Sequence, residues 1–140
     1  MFKIYGFVTA LVVMITVSSC TIEDVDTDFG EQIEGTYSMT YIETQTQLNK
    51  DPSSNNRVII TRLGDKSVEI TLTFANENQD DLVSDDVTVS KSGDTFKLSK
   101  SYTNAELTGE VNGDNCEIYI DYEEENEHDK DRFLDVRAEK

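Results

Sequence analysis

From Gly35 to the end of the chain, apolar residues return at every second position, and that period constrains the fold more than any other feature. The clearest run is Val68-Glu69-Ile70-Thr71-Leu72-Thr73-Phe74, which puts its apolar side chains on one face of an extended strand and its polar ones on the other. Cys116, Ile118, Ile120 and Tyr122 alternate in the same way with Glu117, Tyr119 and Asp121. So do Ala105, Leu107 and Val111 with Glu106, Thr108 and Glu110, and Tyr37, Met39 and Tyr41 with Ser38 and Thr40. The pattern predicts eight strands, near 36–44, 57–63, 67–74, 84–90, 94–99, 104–111, 116–122 and 131–138, and no helix of any length. Strands that are apolar on one face form antiparallel sheets with one buried side.

The connections narrow the architecture. Gly64-Asp65, Gly93-Asp94 and Asn112-Gly113-Asp114 each separate two alternating runs by only a few residues. Glycine there supplies the positive φ that a tight hairpin needs. The connections 45–56, 75–83 and 123–130 are longer and more polar, and a shorter one lies at 100–103. Long and short connections mostly alternate, so an up-and-down meander gathers the tight turns at one end and the long loops at the other. The expectation is an all-β domain, an eight-stranded antiparallel up-and-down β-barrel with a closed base and an open mouth. The alternative is a β-sandwich, in which the first and last strands remain edges. Pairing between 36–44 and 131–138 separates the two.

The chain begins differently. Lys3 precedes a largely apolar run over 4–17, closed by Val17-Ser18-Ser19-Cys20. The run is too short to span about 30 Å of hydrocarbon and reads as a secretory signal peptide over 1–19. Its Ser-Ser-Cys end resembles the lipobox of bacterial lipoproteins. That resemblance implies cleavage before Cys20, acylation of the Cys20 thiol and amine, and a lipid-anchored protein at the outer membrane or cell surface. Residues 20–34 then form the lipidated cysteine and an acidic tether with Glu23, Asp24, Asp26, Asp28, Glu31 and Glu34. With few large apolar groups to bury, that tether is expected to be flexible. Acidic residues soon after the cysteine resemble the surface-export signals of Bacteroidota lipoproteins. The spacing of Asp24, Asp26 and Asp28 suggests a calcium loop, but Phe29 and Gly35 stand where an EF-hand needs glycine and glutamate, so no metal site is expected.

Together with the lipobox and the acidic tether, Gly35-Thr36-Tyr37 at the first strand and the repeated Gly-Asp hairpins resemble the calycin-like (lipocalin-like) lipoproteins of Bacteroidota. The resemblance covers most of the domain at 35–140 and implies a barrel that holds a small or lipidic ligand. Its candidate cavity is lined by Tyr37, Met39, Val68, Ile70, Leu72, Phe74, Ile118 and Ile120. Lipocalins open with Gly-x-Trp; this chain has no Trp, and Tyr37 stands in that place. The family pattern also implies an arginine over that ring. Arg137 is the candidate, although the alternation of Leu134, Val136 and Ala138 turns it to the opposite face.

The formal charge of −17 disfavours nucleic acid and anionic headgroups as direct partners, so membrane affinity falls to the lipid. His128 is the only histidine, and Cys116 lies on a strand leading away from it. No Gly-rich phosphate loop is present. The expectation is a non-enzymatic protein without a cofactor. With Cys20 acylated, Cys116 has no intramolecular partner and reads as a small buried hydrophobe. Glu77, Asp80, Asp81, Asp85 and Asp86 in or beside one connection, and Glu123, Glu124, Glu125, Glu127 and Asp129 in another, are expected at the mouth. They define a second reading, a protein-binding inhibitor or adhesin-like surface protein whose acidic loops meet a basic protein.

Overall fold

A computed structural model describes residues 27–53, 55–75, 80–123 and 133–140. The signal peptide, Cys20, Glu23, Asp24, Asp26, Glu77, His128 and the whole acidic run after Glu123 lie outside the described residues. The order along the chain is α1 (Phe29–Ile33), β1 (Gly35–Thr44), β2 (Leu48–Asn49), β3 (Arg57–Gly64), β4 (Ser67–Thr73), β5 (Leu82–Ser92), β6 (Thr95–Ser101), β7 (Ala105–Asn112), β8 (Asn115–Tyr122) and β9 (Phe133–Glu139). Every pairing is antiparallel, and β1 closes on β9 with Ser38 opposite Glu139 and Thr44 opposite Leu134. The fold is therefore a closed eight-stranded barrel of β1 and β3 to β9, not a sandwich. The two-residue β2 is an extra strand folded back on β1.

Alternation becomes inside and outside. Val68, Ile70 and Leu72 of β4 are buried while Glu69 and Thr71 are partly exposed, and Cys116, Ile118 and Ile120 of β8 point in while Glu117, Tyr119 and Asp121 point out. Each fully buried aliphatic side chain contributes about 1.5–3 kcal/mol over an exposed one. The wall is polar outside and apolar inside. A barrel that spans a bilayer has the reverse, an apolar band facing outward.

Register shifts break the simple alternation at three places among the described strands, one of them between Arg62 and Gly64 at the β3–β4 hairpin. In β1 the register shifts between Met39 and Tyr41, so Tyr37, Met39 and Ile42 point inward and Tyr41 is displaced to the outer wall. The expectation that Tyr41 shares a face with Tyr37 fails there, because one extra residue inverts the phase of everything after it. In β5, Asp85 and Asp86 together oppose Glu69, and Asp86 takes φ +53°, a left-handed conformation that aspartate tolerates. These two acids belong to the wall, not to the mouth loops. Asp86 accepts a hydrogen bond from Ser67 Oγ at 2.9 Å, beside the β3–β4 hairpin.

The two ends differ as the connection lengths predict. The β3–β4, β5–β6 and β7–β8 turns share one end, with Gly93 and Gly113 at φ +62° and +58°. The longer loops share the other. There Asn56, buried, ties three segments together. Its carbonyl accepts from Met39 N at 2.9 Å, its side chain accepts from Ala75 N at 2.8 Å, and its own N–H donates to Ser53.

Residues 28–34 depart from the expected flexible tether. Phe29 to Ile33 form one helical turn, capped where Asp28 Oδ1 accepts from Glu31 N at 3.0 Å. The orphan N–H groups of Phe29 and Gly30 donate to Asp65 O at 2.7 and 3.1 Å, and Ile33 is buried in the core. Asp28 also binds Arg62, which reaches on to Asp65. That guanidinium holds the Asp28 carboxyl below its usual range. Composition alone misses this segment because only Phe29 and Ile33 are large and apolar, and both find the barrel base.

Candidate functional site

The base is sealed by a layered contact that Tyr37 organises. Its ring is fully buried and its hydroxyl donates to Ile33 O at 2.8 Å, tying the helical turn to β1. Burial first, then the charges of Cys116 and Asp114, push the phenol's ionisation far up, so it remains a neutral donor. A cation does cover this ring, but it is Lys140, with Nζ 4.8 Å from the centroid and 3.3 Å from Glu34 O. Arg137 lies outside, 4.6 Å over the ring of Tyr41, the tyrosine that the β1 bulge displaces. Alternation along β9 excludes Arg137 from the interior, and Lys140 follows the last strand residue, where the backbone turns across the base beside Asp114. Lys140→Ala is expected to lower stability by about 0.5–1 kcal/mol, read as a shift in the urea midpoint, with Lys140→Arg close to wild type.

All eight residues proposed for the cavity are brought together in the interior. Tyr37, Met39, Val68, Ile70, Leu72, Phe74, Ile118 and Ile120 belong to one buried apolar cluster, and the most accessible of them, Ile120, is 6% exposed. Side chains with so little accessible surface are packed against one another. A ligand at that depth would have to displace them. Cys116 lies in the same cluster as a free thiol, and burial, reinforced by Glu117, pushes its ionisation from 9.0 up to about 12. It is expected to resist thiol-alkylating reagents in the folded protein at neutral pH and to react fully once unfolded. Its neutral form supports folding fully below the unfolded value near 9, and this contribution is lost as pH rises from there toward 12.

A hollow of about 430 Å³ lies instead on the outside of the barrel, across β6 to β9. Its floor is the backbone at Leu98, Gly109 and Ile118; Lys97, Thr108, Glu110, Glu117, Tyr119 and Asp135 rise around it. Lys97 is ion-paired with Glu110 and Arg137 with Asp135. Tyr119, 40% exposed, stacks on Phe133 with centroids 6.0 Å apart and planes 18° apart. Burial and the charges of Asp121 and Asp135 raise the ionisation of its phenol. Sequence reading assigned no role to this face, because outward residues of a strand carry no signal beyond being polar.

The fold and its sites define the class as a small, closed up-and-down barrel with a plugged base. No family model matches the chain, and no curated protein matches it. Among solved structures it is similar to a "putative outer membrane protein" from Bacteroides fragilis, with a TM-score of 0.63 and 19% identity over 81% of this chain and 53% of that one. The chain thus spans about half the length of that structure, and the likeness is one of fold.

Proposed function

We propose that this protein is a non-enzymatic, lipocalin-like binding module, held at the outer membrane or cell surface by lipid on Cys20. The observation that carries the reading is the asymmetry of the barrel. The chain enters at an end plugged by α1, Tyr37 and Lys140, and the long loops stand at the other. A polar outer wall leaves membrane attachment to the lipid, and the plugged end faces that anchor. The similar Bacteroides fragilis structure, by its name, supports an outer-membrane setting.

The binding reading takes two forms. In one, a small or lipidic ligand enters from the loop end toward Phe74 and Ile120. In the other, the protein binds a basic protein. The packing of the eight interior residues favours the second form. Native mass spectrometry of residues 21–140 after incubation with an envelope extract tests both. A discrete added mass of small-molecule size supports the ligand form, and recovery of a bound basic protein supports the second. Turnover of a substrate by the purified domain would overturn the non-enzymatic reading.

A further inference from the structure

We infer that the outer hollow on β6 to β9 is a docking site for an arginine or lysine side chain of a protein partner, received on the ring of Tyr119. The inference rests on the binding-module reading and gives its protein-binding form a location and a chemistry. Three observations converge on it. The first is shape, since the hollow has a backbone floor and a wall of long side chains, with the Tyr119 ring exposed beside it.

The second is charge. Glu110 and Asp135 are partnered by Lys97 and Arg137, whereas Glu117 and Asp121, exposed and flanking Tyr119 along β8, form no ion pair among the described residues. The local excess is negative, and so is that of the chain, with 29 acidic against 12 basic residues. A basic partner is drawn in by that field and an acidic one repelled.

The third is a precedent on the same wall. Arg137 lies 4.6 Å over the ring of Tyr41, with Asp135 taking its guanidinium and Glu43 taking the hydroxyl of Tyr41. Tyr119 also has carboxylates beside its ring, Asp121 two residues on along its strand, as Glu43 is from Tyr41, and Asp135 directly across the ladder. Phe133 stacks on it, and no cation lies over it among the described residues. The ring quadrupole and the carboxylates stabilise a cation together, and a planar guanidinium can stack and ion-pair at once.

The test is a low-salt titration of the isotopically labelled protein with an acetylated, amidated tetra-arginine peptide, followed by two-dimensional NMR. Shifts centred on Thr108, Gly109, Glu117 and Tyr119 are expected. Tyr119→Ala is expected to weaken binding about five- to tenfold, while Tyr119→Phe, which keeps the ring, stays close to wild type. Glu117→Gln is expected to weaken it by a smaller factor and to flatten the salt dependence. Shifts confined to Asp80, Asp81 and Glu123 would overturn the wall site while leaving a basic-protein binder acting through its loops. An affinity unchanged in Tyr119→Ala would overturn the ring's role. Absence of binding here, with no bound mass in the native experiment, would remove the binding-module reading itself.

Discussion

Tyr37→Ala is expected to destabilise the barrel by about 4 kcal/mol, most of the stability of a small domain. The ring is fully buried at the base, so truncation removes its transfer free energy and leaves a void that the neighbouring strands cannot close. It also removes the donor to Ile33 O and the surface that Lys140 covers, loosening α1 and the C-terminal residue together. Tyr37→Phe separates the contributions. It keeps the ring and the cation contact, loses one hydrogen bond, and is expected to cost about 1 kcal/mol. Urea unfolding of both variants reads these values directly, with the slope unchanged if the native state stays compact. A cost for Tyr37→Ala as small as that for Tyr37→Phe would mean that the base is held by something other than this ring.

Gly109→Ala is the second large effect, from a single added methyl. A Cβ there would stand 2.6 Å from Glu117 O, 3.0 Å from Ile118 Cδ1 and 3.3 Å from Leu98 Cδ1. The side-chain contacts could yield, but the Glu117 carbonyl is part of the β7–β8 ladder, where Gly109 faces Ile118 and Glu110 faces Glu117. Relief requires moving one strand against its neighbour in the middle of the barrel. Such overpacking costs about 2–3 kcal/mol, and the melting temperature should fall by roughly 10 °C or more. Gly64→Ala is the control. Its nearest contact would be an ordinary 3.9 Å to Ser67 Cβ, and a change within about 0.5 kcal/mol is expected. Equal losses in the two variants would show that glycine's flexibility, not the close approach of two strands, is what matters at Gly109.

How far the chain could be read differs residue by residue. All eight strands were legible because each is a run of alternating side chains, and the three tight turns because each carries a glycine beside an aspartate, although only Gly93 and Gly113 take the expected positive φ and Gly64 does not. The inward set was legible too, except where a bulge intervened. Tyr41 was misplaced because nothing in Ser38-Met39-Thr40-Tyr41 marks an extra residue; the shift exists only against Ala138 and Arg137 across the seam. Asp85 and Asp86, read within the strand at 84–90, were grouped with the mouth acids for the same reason. The helical turn at Phe29 carried one local sign, Asp28 followed three residues later by Glu31, but it is too short for helical periodicity to show. The outer hollow carried none, since it is made of residues from four strands.

By itself, then, the sequence determined the all-β class, the number of barrel strands and their limits to within about two residues, the gathering of tight turns at one end, and which side chains face inward along unbroken strands. Those properties are local: a side-chain period of two, the conformational freedom of glycine, and the cost of leaving apolar groups in water. Only the tertiary structure decided that β1 closes on β9, that Lys140 rather than Arg137 covers Tyr37, that Arg137 instead rests on Tyr41, and that the interior is packed while a hollow opens outside. Each of these depends on groups brought together from distant parts of the chain, where one bulged residue reverses a face. No local propensity records where that residue falls.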